Sequence, residues 1–383
     1  MTRLLFDVTR LLQSGLHTGI QRVVRRLLGA SARQLAGEGG EVWPVVFEGE
    51  QWRRLPHLAP HALEGCGVQP QPAGWPIMPG AGDALLLFDA SWYADPWPAV
   101  SAALARGARL YGMVHDLLPL DRPDWFRTEL QPRFGDHLHQ LCRQATRVFV
   151  PSQISAARLT TWCAAHRAAP RIALLPHGGD FCAAGAQAGA APLPVELKAL
   201  LGSCSAAAPL FLVLGTLEPR KGHARILDAF DALWAAGGRQ RLLFVGKVGW
   251  SVDGLLRRID AHPLRERQLF HRAAVDDPTL LHCFRHARAL IHLAQDEGFG
   301  LPVLEAAMQQ CPVIAADIPV LREAGMGWPE YVPLHDEAAL RTAILRASRA
   351  RSAQPPCRTW DSVARQLGEV LARDALPSPA NIA

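Results

Sequence analysis

Two glutamates on either side of a glycine loop are the residues of this chain best suited to chemistry. They belong to segment 296–317, DEGFGLPVLEAAMQQCPVIAAD, which follows an apolar stretch typical of a strand. Its acidic pair, Asp296 and Glu297, is expected to be exposed. Pro302 suits a helix start, because its fixed φ is helical and its missing N–H is not needed there. Glu305 is expected in the first turn of that helix, so the segment predicts a strand, a glycine loop, a helix and a second strand.

Such a loop suits an anionic ligand that also carries hydroxyl groups. A helix N-terminus offers free N–H groups and partial positive charge, and glycines let a ligand approach the backbone. Carboxylates at both ends of the loop, Glu297 and Glu305, accept hydrogen bonds from hydroxyls. A nucleotide sugar combines these properties. The alternative is an ordinary strand–helix–strand unit whose two glutamates are solvated.

A second loop, Gly215–Gly222 (GTLEPRKG), suits a diphosphate. Its first glycine permits close backbone approach, Arg220 supplies a forked cation and Lys221 a compact one. The loop is not a P-loop, because the pattern G-x-x-x-x-G-K-[ST] is absent. Only three of the 40 basic residues are lysine. Two of them, Lys221 and Lys247, follow apolar strands, where ligands bind in α/β folds, which favours a ligand-binding role for both.

The two loops resemble those of the retaining glycosyltransferases of family 4. The resemblance rests on the paired glutamates in EGFGLPVLEA and on the GTLEPRKG segment, and it covers nearly the whole chain. It implies that Glu297 contacts the hydroxyls of the donor sugar and that Glu305 contacts the ribose. It also implies that the backbone N–H groups of Phe299, Gly300 and Leu301 face the sugar or the diphosphate.

The same resemblance assigns further residues in both halves of the chain. It implies that Arg220 and Lys221 hold the donor diphosphate, and that Lys247, in a strand-end V-G-K, lies near the nucleotide. His115 and Asp116 follow a predicted strand and match the family's HD-x-x-P, whose histidine lies near the donor sugar. From the residues alone, a structural histidine is equally compatible with this position.

In the resembled family the first loop brings a small residue close to the donor diphosphate and the acceptor, and Thr18-Gly19 occupies that place here. The predicted catalytic residues are Glu297, His115, Arg220 and Lys221. The predicted substrate-binding residues are Gly19, Asp116, Gly215, Lys247, Phe299, Gly300, Leu301 and Glu305.

The composition is that of compact globular domains. The 383 residues suffice for two or three domains. No apolar run reaches the ~20 residues of a membrane span, and the N-terminus lacks a secretory pattern. Eight scattered cysteines form no zinc pattern and suit a reducing cytoplasm. No D-x-D triplet occurs, which argues against a diphosphate held through a metal, so we expect neither a metal nor a cofactor.

The formal net charge of +5 suits an anionic substrate or a membrane surface. The predicted helix 20–35 is amphipathic and carries Arg22, Arg25, Arg26 and Arg33 on its charged face. Such a helix either lies on an anionic membrane or packs on the sheet, and packing on the sheet is favoured. Dispersed arginines without a recognition module argue against a nucleic-acid partner.

Apolar strands alternate with helices along the chain, which predicts an α/β fold. The resemblance implies the GT-B fold, in which two Rossmann-like domains face a central cleft and a C-terminal helix returns to the N-terminal domain. We expect the N-terminal acceptor-side domain at 1–185, a linker at 186–208, the donor domain at 209–356 and the returning helix in 357–383. The Pro- and Gly-rich stretch 55–82 is predicted to be a long loop.

The resemblance implies a retaining, metal-independent transfer of a hexose from a nucleoside diphosphate sugar to a glycan or lipid-linked acceptor in cell-surface polysaccharide synthesis. The segments TGIQRVVR and VGKVGW resemble those of bacterial mannosyl- and rhamnosyltransferases, which favours GDP-mannose or a rhamnose nucleotide. We expect a cytoplasmic protein, with peripheral contact at the inner face of the membrane left open. The alternatives are a catalytically silent nucleotide-sugar-binding subunit and another GT-B enzyme such as an epimerase or phosphorylase.

Overall fold

The chain forms two sheets, one in each of two units, and most of their strand pairs are parallel. The computed structural model describes residues 3–14, 18–36, 40–55, 74–181, 193–349 and 354–376. The first unit comprises Met1–Gly178 and Thr359–Ala383, and the second comprises Gly179–Arg358.

The first unit has an eight-stranded sheet in the order β4-β3-β2-β1-β5-β6-β7-β8. Its pairs are parallel except β2 with β3 and β3 with β4. The central strands are continuous apolar runs, as expected where helices cover both faces of a parallel sheet. The strands are β1 (Arg3–Asp7), β2 (Glu41–Glu48), β3 (Gln51–Arg54), β4 (Trp75–Ile77), β5 (Asp83–Leu87), β6 (Arg109–Met113), β7 (Arg147–Val150) and β8 (Ile172–Leu174).

Seven described helices accompany this sheet, together with short 3-10 turns at Ser91–Tyr93 and Pro123–Trp125. Six of them precede the second unit in the chain, and the last follows it. They are α1 (Thr9–Ser14), α2 (Gly19–Ala36), α3 (Trp97–Ala105), α4 (Leu118–Asp121), α5 (Leu130–Gln144), α6 (Gln153–Ala165) and the terminal α14 (Trp360–Ala375).

The C-terminal helix returns to the first unit, as the sequence predicts. α14 packs against α2, and Arg33 Nη2 lies 2.8 Å from Asp361 Oδ1. Near its other end, Arg147 Nη2 lies 2.5 Å from Oδ1 of the buried Asp374. Ion pairs and apolar packing thus hold α14 to the first unit, although the whole second unit lies between them in the sequence.

The basic helix α2 packs on the protein rather than presenting all its arginines to solvent. It contacts β2 and α14, and Arg25 and Arg26 are only 6% and 5% exposed. Sheet packing, the favoured interpretation, is confirmed, and contact with a membrane surface stays a prediction. No helix among the described residues has the length and apolar character needed to span a membrane.

The second unit has a six-stranded, wholly parallel sheet in the order β11-β10-β9-β12-β13-β14. Its strands are β9 (Leu210–Leu214), β10 (Arg241–Val245), β11 (Leu269–Arg272), β12 (Ala289–His292), β13 (Val313–Ala316) and β14 (Glu330–Val332). Its helices are α7 (Val195–Gly202), α8 (His223–Ala235), α9 (Asp253–Asp260), α10 (Asp277–His286), α11 (Leu301–Met308), α12 (Pro319–Gly325) and α13 (Glu337–Arg346).

Part of the segment predicted as a linker, 193–208, belongs to the second unit and contains α7. Leu197, Leu200 and Leu201 recur at helical spacing and are buried, which explains why this part folds. The rest of the predicted linker, 186–192, and most of the predicted loop at 55–82, namely 56–73, lie outside the described residues.

Each sheet has a point where the strand order reverses, and ligands of open α/β sheets bind at such points. In the second unit β9 lies between β10 and β12. In the first unit β1 lies between β2 and β5. The loops that leave the carboxyl ends of β9 and β12, and of β1 and β5, therefore lie beside each other within their own unit.

Candidate active site

The two loops singled out in the sequence meet in the second unit. Because β9 and β12 are neighbours, the loop Gly215–Gly222 lies beside the loop 293–300. The N–H of Gln295 donates to the carbonyl of Arg220 at 2.8 Å, and Arg225 Nη2 donates to the carbonyl of Leu293 at 3.1 Å. The first contact joins the two loops, and the second fixes the loop 293–300 to the start of α8.

Glu297 is the centre of this arrangement. Its Oε1 accepts hydrogen bonds from Lys221 Nζ and, at 3.2 Å, from His292 Nε2. Its Oε2 lies 3.3 Å from Arg220 Nη1. The expectation of an exposed acidic pair is wrong for Glu297, which is 8% exposed. Two cations of the loop after β9 and a histidine at the end of β12 enclose the carboxylate. Asp296 beside it is only half-buried.

Arg220 ties together three groups in the same place. Its Nε donates to Glu218 Oε2 at 2.8 Å, and its Nη1 donates to the carbonyl of Asp296 at 3.0 Å. The side chains of Arg220 and Lys221 are 12% and 14% exposed. A planar guanidinium can donate to several acceptors in fixed directions. Arg220 therefore holds the two loops together while part of its guanidinium remains exposed to solvent.

The charge states follow from these contacts. Burial opposes the ionised form of Glu297, but Lys221 and Arg220 outweigh it and hold the pKa of Glu297 well below its usual range. Burial lowers the pKa of His292 despite its bond to Glu297. At neutral pH Glu297 is therefore a carboxylate, which only accepts hydrogen bonds, and His292 is neutral and donates one.

The glycine loop leads into α11 with the geometry that the sequence predicts. Gly300 precedes the helix with φ of 100°, a backbone conformation that favours glycine, and Pro302 stands in the first turn. Phe299 and Leu301 are buried. Glu305 is the fifth residue of α11, so it lies in the second turn rather than the first, and it is 4% exposed.

Gly215 and Lys247 lie at the ends of the neighbouring strands β9 and β10. Gly215 has φ of 142°, and the N–H of Leu217 donates to the carbonyl of Lys247 at 2.8 Å. A Cβ on Gly246 would lie 1.9 Å from the carbonyl oxygen of Gly215. Glycine at 246 thus lets the two strand ends touch, and the half-buried Lys247 follows directly.

In the first unit, the structure places His115 and Asp116 after β6. His115 is 9% exposed, and its Nε2 lies 2.8 Å from the carbonyl oxygen of Phe88. Burial lowers the pKa of His115 to about 4, so the ring is neutral at pH 7. Asp116 Oδ1 accepts from the N–H of Leu118 at 3.1 Å, which places this carboxylate at the start of α4.

A buried pair of aspartates, which the sequence reasoning missed, lies at the ends of β1 and β5. Asp7 Oδ2 accepts from Ser91 Oγ at 2.6 Å. Asp89 accepts from the N–H of Leu11 at 2.6 Å and from Gln21 Nε2 at 3.1 Å. Burial and the charge of Asp7 raise the pKa of Asp89 to about 6. The signal was present, because an aspartate ends each of the apolar runs LLFD and LLLFD.

The predicted Thr18-Gly19 site is linked to Asp89 through Gln21. The Thr18 hydroxyl donates to Gln21 Oε1, and Gln21 in turn binds Asp89. Gly19 is the first residue of α2 and is exposed. The network therefore ties the start of α2 to the carboxyl end of β5.

The second unit thus brings together Glu297, Arg220 and Lys221, and it adds two groups that were not predicted, His292 and Glu218. Gly19, His115 and Asp116 belong to the first unit. Among the described residues, no three His, Cys, Asp or Glu side chains are arranged to hold a metal ion.

Residues 206–325 match the family described as Glycosyl transferases group 1. This segment is a glycosyl transferases group 1 domain. The match confirms the resemblance to glycosyltransferases that the sequence analysis found. Every predicted site residue of the second unit, from Gly215 to Glu305, falls inside this glycosyl transferase domain.

Sequence similarity to known mannosyltransferases covers parts of both units. The chain is 35% identical to the serotype-specific mannosyltransferase WbdA of Escherichia coli over 331 residues, which are 84% of this chain and 38% of that protein. It is 33% identical to the O-antigen chain mannosyltransferase B of Escherichia coli over 113 residues, 29% of each chain. The chain spans less than two fifths of the length of the WbdA proteins that it matches.

Solved structures share the fold of this chain. Sucrose-phosphate synthase from Thermosynechococcus elongatus aligns with a TM-score of 0.62 at 17% identity, over 97% of this chain and 99% of that one. HepE of Anabaena in complex with UDP and glucose aligns with a TM-score of 0.63 at 16% identity, over 97% and 100% of the two chains. The predicted two-domain α/β fold of the GT-B class is thereby confirmed.

Proposed function

We propose that this chain is a retaining hexosyltransferase that moves mannose from a nucleoside diphosphate donor to a glycan or lipid-linked acceptor during cell-surface polysaccharide synthesis. The observation that carries the proposal is the buried Glu297 carboxylate, held between Lys221 and Arg220 at the switch point of the second sheet. The similarity to mannosyltransferases over 84% of the chain favours mannose over rhamnose.

Glu297 acts as an orienting group in this proposal. As a carboxylate it accepts hydrogen bonds from the hydroxyls of the donor hexose, and its contacts with Lys221, Arg220 and His292 fix its direction before the sugar arrives. A preorganised acceptor needs no reorganisation when the reaction begins. Glu305 and Lys247 serve the nucleotide, and the backbone N–H groups of 299–301 face the sugar or diphosphate.

Arg220 and Lys221 stabilise the charge that develops on the departing diphosphate. Lys221 supplies a compact ammonium with three N–H donors, and Arg220 a planar guanidinium with five. The acceptor oxygen forms a bond to the anomeric carbon as the bond from that carbon to the diphosphate breaks. The acceptor proton passes to the departing phosphate oxygen, and attack on the leaving-group face retains the configuration. No metal ion is required, because the two cations and the start of α11 supply the positive field.

We assign His115, Asp116 and Gly19 of the first unit to substrate binding as well. His115 is neutral and retains Nδ1 for a sugar hydroxyl, since Nε2 is engaged with Phe88. Gly19 begins α2 with an exposed backbone, and we assign it to the acceptor and the donor diphosphate.

The test is a donor screen with the 383-residue chain. GDP-mannose, a rhamnose nucleotide and the UDP and dTDP hexoses are each supplied with an α-mannoside acceptor, with and without EDTA, and the products are analysed by NMR. We expect transfer from GDP-mannose that EDTA leaves unchanged and an α-configured product. Failure of every donor to bind or turn over contradicts the proposal, and binding without transfer to any acceptor identifies a silent subunit instead.

A further inference from the structure

A cavity of about 550 Å³ opens in the first unit, between the segment that follows β5 and one face of α5. Its walls come from residues 92–97 and 133–140, and all of them belong to the first unit. Neither the predicted site residues nor the proposed mechanism uses it.

Aromatic rings form one wall of this cavity. Trp92, Tyr93 and Trp97 all line it, and Tyr93 is 46% exposed. The Trp92 and Tyr93 ring centroids lie 6.0 Å apart with 36° between the ring planes. Partly exposed aromatic faces bind other flat, C–H-rich surfaces, and the face of a pyranose ring is such a surface.

Polar groups surround the rings and are nearly balanced in charge. Asp95, Asp136 and Arg133 are exposed at the cavity, with His139 and Gln140 beside them. Carboxylates accept hydrogen bonds from hydroxyls, and a guanidinium donates them. The two carboxylates balance the guanidiniums of Arg133 and of Arg10, which lies against the Tyr93 ring, so the lining carries no net positive charge. It therefore favours a neutral polyhydroxylated ligand over a nucleotide.

Two buried polar atoms of the lining residues have no hydrogen-bond partner within the described chain, Trp92 Nε1 and His137 Nδ1. His137 is 7% exposed, and burial lowers its pKa to about 4. Unpaired buried polar atoms are rare in folded proteins and occur where a water or a ligand completes the hydrogen bonding. Trp92 belongs to the aromatic wall and His137 lies beside it, so these atoms add buried polar groups next to the rings.

The cavity is connected to the ligand edge of the first sheet. The Arg10 guanidinium lies 4.1 Å from the centroid of the Tyr93 ring. Ser91, which begins the same 3-10 turn, binds the buried Asp7, and Asp89 binds the N–H of Leu11. The aromatic wall is thus fixed to α1 and to the carboxyl end of β5, the edge at which a parallel sheet binds ligands.

We propose that this cavity binds a neutral pyranose unit of the acceptor glycan, at a distance of one or more sugars from the hydroxyl that reacts. The inference rests on the proposed function only for the identity of the glycan as the acceptor. Binding of a neutral oligosaccharide to the cavity is a property of the first unit and can be measured without a donor.

The first experiment measures binding alone. An α-linked mannotetraose and mannose itself are each titrated into the chain in the absence of donor, by calorimetry and by saturation-transfer NMR. The variants are Tyr93→Ala and Asp136→Asn, whose side chains are exposed. The matched control is Trp75→Ala, an aromatic residue of the first unit that is 61% exposed and lies outside the cavity.

We expect the tetraose to bind, and each cavity variant to weaken binding by about tenfold, the scale of a lost aromatic anchor or a lost hydrogen bond to a charged group. The control variant should bind as the parent does, and all variants should melt at the parent's temperature. The absence of tetraose binding, or equal binding by the parent and Tyr93→Ala, overturns the proposal.

The second experiment separates this proposal from the proposed function. With GDP-mannose as donor, Tyr93→Ala should raise KM for the tetraose about tenfold, leave kcat unchanged, and leave transfer to methyl α-mannoside unchanged. If the parent turns over the donor but the variant has the parent's KM, the cavity proposal falls and the function stands. If no donor reacts but the tetraose binds through Tyr93, the function falls and the cavity stands.

Discussion

The guanidinium of Arg220 lies 3.3 Å from the carboxylate of Glu297, although the two residues are 77 positions apart in the chain. Lys221, in the same loop as Arg220, and His292, at the end of β12, contact the same carboxylate. The residues proposed to hold a diphosphate and the residue proposed to orient a sugar therefore form one electrostatic unit before any ligand binds.

The first prediction concerns the Lys221–Glu297 pair. Lys221→Met leaves the buried carboxylate with less positive charge and should lower the free energy of unfolding by ~3 kcal/mol, because breaking a buried pair leaves an uncompensated charge. Glu297→Gln should cost less, and the double variant should recover most of the loss. Donor turnover should fall by ~10²–10³ in all three variants, since the double variant restores the fold but not the charges.

Urea unfolding and donor turnover check this cycle, with Lys198→Met as control, an exposed lysine of the second unit. A double variant as unstable as Lys221→Met would show that the two side chains are not coupled. Turnover of Lys221→Met within twofold of the parent would remove Lys221 from the site.

Arg220→Lys keeps the positive charge and tests whether the hydrogen-bond directions of the guanidinium are needed. The guanidinium reaches Glu218, Glu297 and the carbonyl of Asp296 together, and a single ammonium cannot match those directions. We expect turnover to fall by at least about tenfold, the equivalent of one lost charged hydrogen bond. The control is Arg373→Lys, whose side chain is 69% exposed, and equal turnover by Arg220→Lys and the parent would contradict the assignment.

Gly246→Ala tests the contact between strand ends. The added Cβ would lie 1.9 Å from the carbonyl oxygen of Gly215, a backbone atom that cannot rotate away. We expect a loss of ~3 kcal/mol in the free energy of unfolding, measured in urea, with weaker donor binding. Gly254→Ala is the matched control, because nothing lies within 4 Å of its Cβ. Equal stability of the two variants would show that β9 and β10 separate freely at this end.

His115 should make the protein less stable in acid. Its pKa is about 4 in the folded chain and 6.5 in the reference state, so between these values the unfolded chain binds a proton that the folded chain does not. The free energy of unfolding therefore decreases as pH falls from 6.5 to 4, by at most ~1.4 kcal/mol per pH unit for this residue. Urea unfolding across this range should show a shallower slope for His115→Gln, and a slope equal to the parent's would contradict the burial effect.

Much of the fold and part of the candidate site were predictable from local sequence. Short apolar runs bounded by glycine and proline marked strands such as Arg241–Val245 and Val313–Ala316, which the structure reproduces. The loops after them carried Arg220, Lys221 and Glu297 in recognisable patterns. These features are local, because strand length, helix starts and positive φ depend on residues within a few positions of each other.

The pairing of charges was decided by tertiary structure. The sequence predicted an exposed Glu297, and the structure buries it because β12 lies next to β9, a neighbour relation that no local pattern encodes. The same holds for Asp7 and Asp89, which meet only because β1 pairs with β5. Strand order sets which loop ends come together, and burial then sets their pKa values.

The aromatic cavity shows most clearly what the sequence determined and what only the tertiary structure decided. Trp92, Tyr93 and Trp97 are visible in the sequence as a cluster, but their partners Asp136 and His137 lie some forty positions later on α5. The sequence by itself indicated most of the element types, the two loops proposed to bind a ligand and the resemblance to a family, but it missed the helix Val195–Gly202 and the strand Trp75–Ile77. Which side chains share a charge, a hydrogen bond or a cavity was decided only when the sheets assembled, because those relations depend on long-range strand and helix neighbours.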